Sequence, residues 1–356
     1  MSPSVSSRKA KVAAADVRTA YLVLGMHRSG TSAITQLLSL AGAELPQNVM
    51  PGDEHNAQGY FEPWRIAIFN DERLRAAGSA WDDIFAFPCP EVAQADAGAW
   101  RQRATALFED EFAGRRHPLM KDPRVTVLLP FWRGVFDDLG VAARCVIPVR
   151  HPLAVAGSLA RRDNFAVEKS VLLWSAYMLA AEAYSRDLPR AFVGYDQVLS
   201  DWRGQVARIE GGHAAPLPKL DKRAERAIDA ALTSELRHNS AQGELSAFGW
   251  AGEIASAVYD WFAAAARDEN PAPGPLAAAA AALAERRREF GVLVSPAARD
   301  LDAARNEVLS LRQSLAWERR ELEVLKTRIE EVQRDWWRQK GVMDEVQWVL
   351  DRALER

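Results

Sequence analysis

Residues Tyr21 to Leu38 read YLVLGMHRSGTSAITQLL: an apolar run, Gly25, four residues, Gly30, Thr31 and Ser32, then a helical pattern. A strand that passes through a glycine loop straight into a helix is a phosphate-binding arrangement. The glycines let the backbone approach a ligand closely, and the unpaired N–H groups of the helix start point at an anion. Nucleoside triphosphatases place lysine after the second glycine of such a loop. Here that position is Thr31, and the nearest cation, Arg28, lies inside the loop. Gly25, His27, Arg28, Ser29, Gly30, Thr31 and Ser32 are therefore expected to cradle an anion without the usual lysine.

Other apolar runs suit strands at 20–24, 118–121, 144–149 and 190–194. Helical patterns fall near 31–42, 64–77, 97–113, 123–138, 152–162 and 167–187. This alternation predicts an α/β fold, a parallel sheet flanked by helices. Ligands in such folds sit at the carboxyl ends of strands, which singles out Gly25–Ser32, Lys121-Asp122 and Arg150. A strand that serves Mg²⁺ in a triphosphatase ends in an acid. The run CVIPV ends in Arg150, and His151-Pro152 then opens a helix with Ser158 two turns along. Arginine and serine in that pattern make a second anion site with no need of a metal.

With 356 residues and 48% hydrophobic content, the chain has material for one large domain and something more. A net charge of −3 gives no overall basic footprint for nucleic acid. Cys89 and Cys145 provide no disulfide framework. The polar stretch 1–18 reads as a disordered lead, and no run of about 18 apolar residues suits a membrane span. A cytoplasmic protein is expected.

Four segments in order resemble sulfotransferases that use 3′-phosphoadenosine 5′-phosphosulfate (PAPS). GMHRSGTSAITQLL resembles their 5′-phosphosulfate loop, and VIPVRHPLAVAGSL their 3′-phosphate motif, with Arg150 and Ser158 in its arginine and serine positions. MKDPR resembles the Lys-Asp-Pro of the tyrosylprotein branch, which implies that Lys121 supports sulfuryl transfer. VGYDQVLSDW resembles the tyrosine segment near the adenine, which implies a role for Tyr195. The likeness runs from about Ala20 to Trp202 and is strongest to bacterial members with an HRSGTS loop, whose acceptors are often sugars. It implies a P-loop sulfotransferase-like fold, PAPS as donor with PAP as product, no metal, and a hydroxyl acceptor, with a saccharide expected. Phenol-type members differ, with lysine in the loop, a histidine after the central lysine and a C-terminal Arg-Lys-Gly segment that is missing here. Arg237 or His238, in ELRHNSAQGE, is the substitute on offer for that segment.

Sulfuryl transfer to a hydroxyl needs a base for the acceptor proton and cations for the developing negative charge. Arg28 and Lys121 are the cations. The base is expected in ELPQNVMPGDEHNAQGYFEP, where Glu62 leads, Glu54 follows and His55 is third. Two other readings are a P-loop nucleotide kinase or hydrolase, and an inactive PAPS-binding scaffold. The acidic balance argues against polyanionic acceptors, which call for a basic groove.

After the Pro-rich stretch at 267–275, an alanine-rich helix leads to a seven-residue repeat. From Leu301 to Ala353, fourteen of sixteen a and d positions are apolar, and the flanks are dense in Glu and Arg. That pattern predicts a long C-terminal coiled-coil helix, pairing with a second copy or a partner protein. Trp317, Trp337 and Trp348 fall off this seam and suggest a second contact surface. The expected division is a lead at 1–18, a catalytic domain at 19–293 and a coiled-coil tail at 294–356.

Overall fold

The computed structural model describes residues 17–50, 52, 59–232 and 243–354. Its apolar runs form β1 (Thr19–Val23), β2 (Leu119–Lys121), β3 (Ala142–Val149) and β4 (Arg190–Gly194). Helices alternate with them: α1 (Thr31–Leu40), α2 (Trp64–Ala76), α3 (Gln94–Glu111), α4 (Pro123–Val127), α5 (Leu129–Leu139), α6 (Pro152–Asp163) and α7 (Val167–Ser185). After β4 come α8 (Tyr195–Ser200), α9 (Trp202–His213), α10 (Lys222–Ala231), α11 (Gly249–Ala265) and α12 (Pro273–Leu354). The strands pair in parallel in the order β2-β1-β3-β4. This is the α/β fold that the alternation predicts.

Side chains on successive strand residues point to opposite faces, and both faces are buried. Ala20, Leu22 and Leu24 face a cluster with Trp132 of α5, Trp174 of α7 and Phe262 of α11. Tyr21 and Val23 face a second cluster with Ile34 and Leu37 of α1, Ile209 of α9 and Ile228 of α10. A sheet covered on both sides explains why the strands read as continuous apolar runs.

The helix expected over 123–138 is two helices, α4 and α5, divided at Leu128. Pro130 in the first turn of α5 is the cause, because its ring clashes with the carbonyl one turn back and it has no N–H to donate. Of the expected lead, Val17 and Arg18 are within the described residues, and Arg18 is pinned. Its Nε donates to the Arg115 carbonyl at 2.9 Å and its Nη2 to that of Phe112 at 2.7 Å. The rest of the lead lies outside the described residues.

By internal contacts the chain divides into Met1–Arg299 and Asp300–Arg356, a few residues beyond the expected division. In the first unit, Leu276, Ala279 and Leu283 belong to the core, Val294 packs against it, and Ala298 is buried. The alanine-rich segment is thus part of the first unit. The second unit is helical from Asp300 to Leu354. No helix among the described residues is long and apolar enough to cross a membrane.

Candidate active site

Chain order runs from β1 to β2 on one side and then to β3 on the other, so the connections after β1 and β3 diverge and leave a crevice at their carboxyl ends. The loop 25–30 fills its floor. Gly25 takes φ +133° and Gly30 φ +90°, and Arg28 itself sits in the left-handed region at φ +66°. A non-glycine residue there is strained and persists only where its surroundings hold it. Thr126 of α4 is part of that hold: its hydroxyl accepts from Gly25 N at 2.8 Å and donates to the Gly25 carbonyl at 3.3 Å.

The loop and the segment after β3 are joined directly. Arg28 Nε donates to Ser158 Oγ at 2.8 Å, and Arg150 Nη1 donates to the Arg28 carbonyl at 2.8 Å. The Arg150 guanidinium lies 4.5 Å from the centre of the Tyr195 ring. Tyr195 in turn covers Gly30, where an added Cβ would meet its Cδ2 at 2.1 Å. The structure thus brings Arg28, Gly30, Arg150, Ser158 and Tyr195 into one cluster. Two anion sites read separately in the sequence share a wall.

Several hydrogen-bond donors surround this cluster. No side chain caps the start of α1, as is also true of α2, α3, α5, α7, α8 and α11. Helix-start N–H groups without a side-chain acceptor are ready to bind a negative group. Thr31 opens that turn and is buried, and Ser32 follows, half-buried. Ser29 Oγ and His27 Nε2 are buried with no hydrogen-bond partner among the described residues. Burial and the neighbouring guanidinium of Arg162 hold Arg28 below its usual pKa.

Beside the loop, at the end of β2, Lys121 is 2% and Glu62 3% exposed. Lys121 Nζ donates to Glu62 Oε1 at 2.7 Å and to the Tyr60 carbonyl at 2.9 Å. Glu62 Oε2 faces Arg124 Nη1 at 3.6 Å, beyond hydrogen-bond reach. The preceding Phe61 is left-handed at φ +58°, and Met50 N donates to the Glu62 carbonyl at 2.8 Å. A strained residue and a backbone bond together aim Glu62 at Lys121. Asp122, fully buried, caps α4 through Arg124 N at 3.1 Å and accepts from Asn70 Nδ2 at 2.7 Å. Both of its oxygens are committed to the protein.

Glu54, His55, Arg237 and His238 lie outside the described residues. Three neighbours escaped the sequence reading. Arg124 stands in the MKDPR motif, but only the fold turns it onto Glu62. Thr126 carries no signal at all. Arg162, in an ordinary basic helix end, reaches the site through the turns of α6.

His27 packs edge-on to Trp81, with centroids 4.8 Å apart. Burial, and then the positive charges of Arg162, Arg124, Lys121 and Arg28, drive its pKa well below the usual 6.5, so the ring is neutral. An unfolded histidine gains its proton near pH 6.5 while His27 refuses it, so stability should fall as pH drops through that value. His117, His151 and His213 are lowered too and act in the same direction. Urea midpoints measured from pH 7 to 5 should therefore decline, with a shallower slope in His27→Gln; an identical slope would assign the effect to other titrating groups.

No family model matches the chain, nor does any curated protein. Solved structures similar to part of it include two sulfotransferase domains. One is a sulfotransferase domain from the curacin biosynthetic pathway, at 14% identity and a TM-score of 0.39, covering 75% of this chain and 98% of that one. The other is a sulfotransferase domain from the Synechococcus PCC 7002 olefin synthase, at 18% identity and a TM-score of 0.36, covering 76% and 94%. At these values the similarity carries no functional weight.

Proposed function

We propose that the chain is a sulfotransferase that takes its sulfuryl group from PAPS and passes it to a hydroxyl acceptor, with a saccharide favoured by the resemblance of its loop. The observation that carries this reading is the junction of Arg28 with Ser158 and of Arg150 with the Arg28 carbonyl and Tyr195. One crevice with two adjoining anion walls fits a nucleotide that bears charge on both its 5′ and its 3′ sides. The start of α1, Ser29 Oγ and Thr31 would hold the 5′ side, Arg150 and Ser158 the 3′ side, and Tyr195 would lie near the base. Bound PAPS supplies the sulfuryl group. Arg28 and Lys121 provide fixed positive charge in a site from which water is largely excluded. Glu62 is the base, and Oε2, the oxygen that Lys121 does not hold, takes the acceptor's proton.

Thermal shift with PAP, ATP and GTP, each with and without Mg²⁺, tests this reading. PAP should stabilise the protein without metal. A response to ATP that requires Mg²⁺ would favour a kinase or hydrolase, and no response to any nucleotide would favour a scaffold. Labelled sulfate from PAPS, followed into cell extract, would identify the acceptor.

Arg150→Ala should weaken PAP binding by about 1.5–3 kcal/mol, the worth of a charged hydrogen bond. Titration with 5′-AMP, which lacks the 3′-phosphate, should show a much smaller loss. Equal losses for the two ligands would remove Arg150 from the 3′ side.

A further inference from the structure

From Leu301 onward the last helix carries its apolar seam uncovered. The large a and d residues are between 45% (Leu301) and 70% (Met343) exposed. Over eight heptads such a stripe needs a partner, because a strict seven-residue repeat matches another helix with the same repeat. The charges beside the seam say which helix that is.

With Leu301 at an a position, Arg312, Lys326 and Lys340 fall at e, and Glu307, Glu321 and Asp335 fall at g. The e row holds no acid, and the g row is acidic but for Arg328 among its charged members within 301–354. We propose that the tail pairs with a second copy of itself as a parallel, in-register, two-stranded coiled coil. In that arrangement each g residue meets the e residue of the next heptad on the other helix. Glu307 then meets Arg312, Glu321 meets Lys326 and Asp335 meets Lys340, each twice by symmetry, and no g–e meeting opposes like charges. An antiparallel pair would set e against e, with Arg312 opposing Lys340 and Lys326 opposing its own copy. Lys326 now rests on Glu323 at 2.9 Å, an exposed pair that exchanges partners easily.

The polar d position at Glu318 fits the same arrangement. Two Glu318 carboxylates face each other, and each lies beside Arg319 at the adjoining e position of the second copy. Ser314, at the g position that would otherwise engage Arg319, is uncharged and leaves it to Glu318. Three converging carboxylates in a trimer would be worse served, which favours two strands. A self-complementary row of this kind has no reason to exist for an unrelated partner.

Cross-linking in the full-length chain reads the orientation. Val346→Cys, at a d position, should link to its own copy on oxidation, with the wild-type chain as the blank for Cys89 and Cys145. A mixture of Val308→Cys and Val346→Cys chains that links only 308 to 346 would mean antiparallel pairing and overturn the proposal. Light scattering should report twice the 39.4 kDa chain mass; a single-chain or three-chain mass would overturn it as well. Arg312→Glu/Lys326→Glu/Lys340→Glu should raise the dissociation constant about a hundredfold or more at unchanged helical content. An unchanged constant would show that the e and g charges do not choose the partner.

Discussion

Lys121→Met is expected to abolish sulfuryl transfer and to cost about 3 kcal/mol of stability, because it leaves the Glu62 carboxylate buried with Arg124 as its remaining cation. Such a loss alone does not separate catalysis from structure. Removing both partners does. Replacing a buried ion pair by apolar groups of similar size is often close to neutral, so Lys121→Met/Glu62→Leu should return to within about 2 kcal/mol of the wild type while staying inactive. Glu62→Gln keeps the shape and removes the base, and its turnover should fall about 10²–10⁴-fold with PAP affinity nearly unchanged. Urea unfolding, PAP titration and turnover on the four proteins decide the matter. Full turnover in Glu62→Gln would move the base elsewhere.

Gly30→Ala should reduce PAP affinity by at least about a hundredfold. The residue sits at φ +90°, where alanine is strained by about 1–2 kcal/mol, and the new Cβ would meet Tyr195 Cδ2 at 2.1 Å. Tyr195 must then move, and it takes with it the surface on which Arg150 rests. Gly114 is the control. It has φ +69° with nothing within 4 Å of an added Cβ, so Gly114→Ala should carry the backbone strain and leave PAP binding intact. If both variants bind alike, the packing of Tyr195 on the loop has no part in nucleotide binding.

The strands were legible because a buried parallel strand is a short apolar run, and each of the four runs coincides with an observed strand to within two residues. The start of α4 was legible for an equally local reason, since Asp122 followed by Pro123 is a cap and a first turn. The break at Leu128 was less so, because the apolar pattern continues through it and only Pro130 marks the change. Lys121, Arg150 and the loop 25–32 could be picked out one by one, since Lys121 ends a strand and the other two come just after one. Their joining could not.

Sequence alone determined the element types, the strand ends that face the crevice and the heptad seam with its charged flanks, because each of these is written in residues a few positions apart. Tertiary structure decided which of those ends meet. Arg28 and Ser158 are 130 residues apart, and Glu62 and Lys121 are 59 apart. What brings the first pair together is the placing of β3 beside β1. What turns Glu62 inward is the left-handed Phe61 and a backbone bond from Met50. Neither is a preference of the residues concerned: strand order is settled by the two buried faces of the whole sheet, and a strained φ survives only where packing from distant segments holds it.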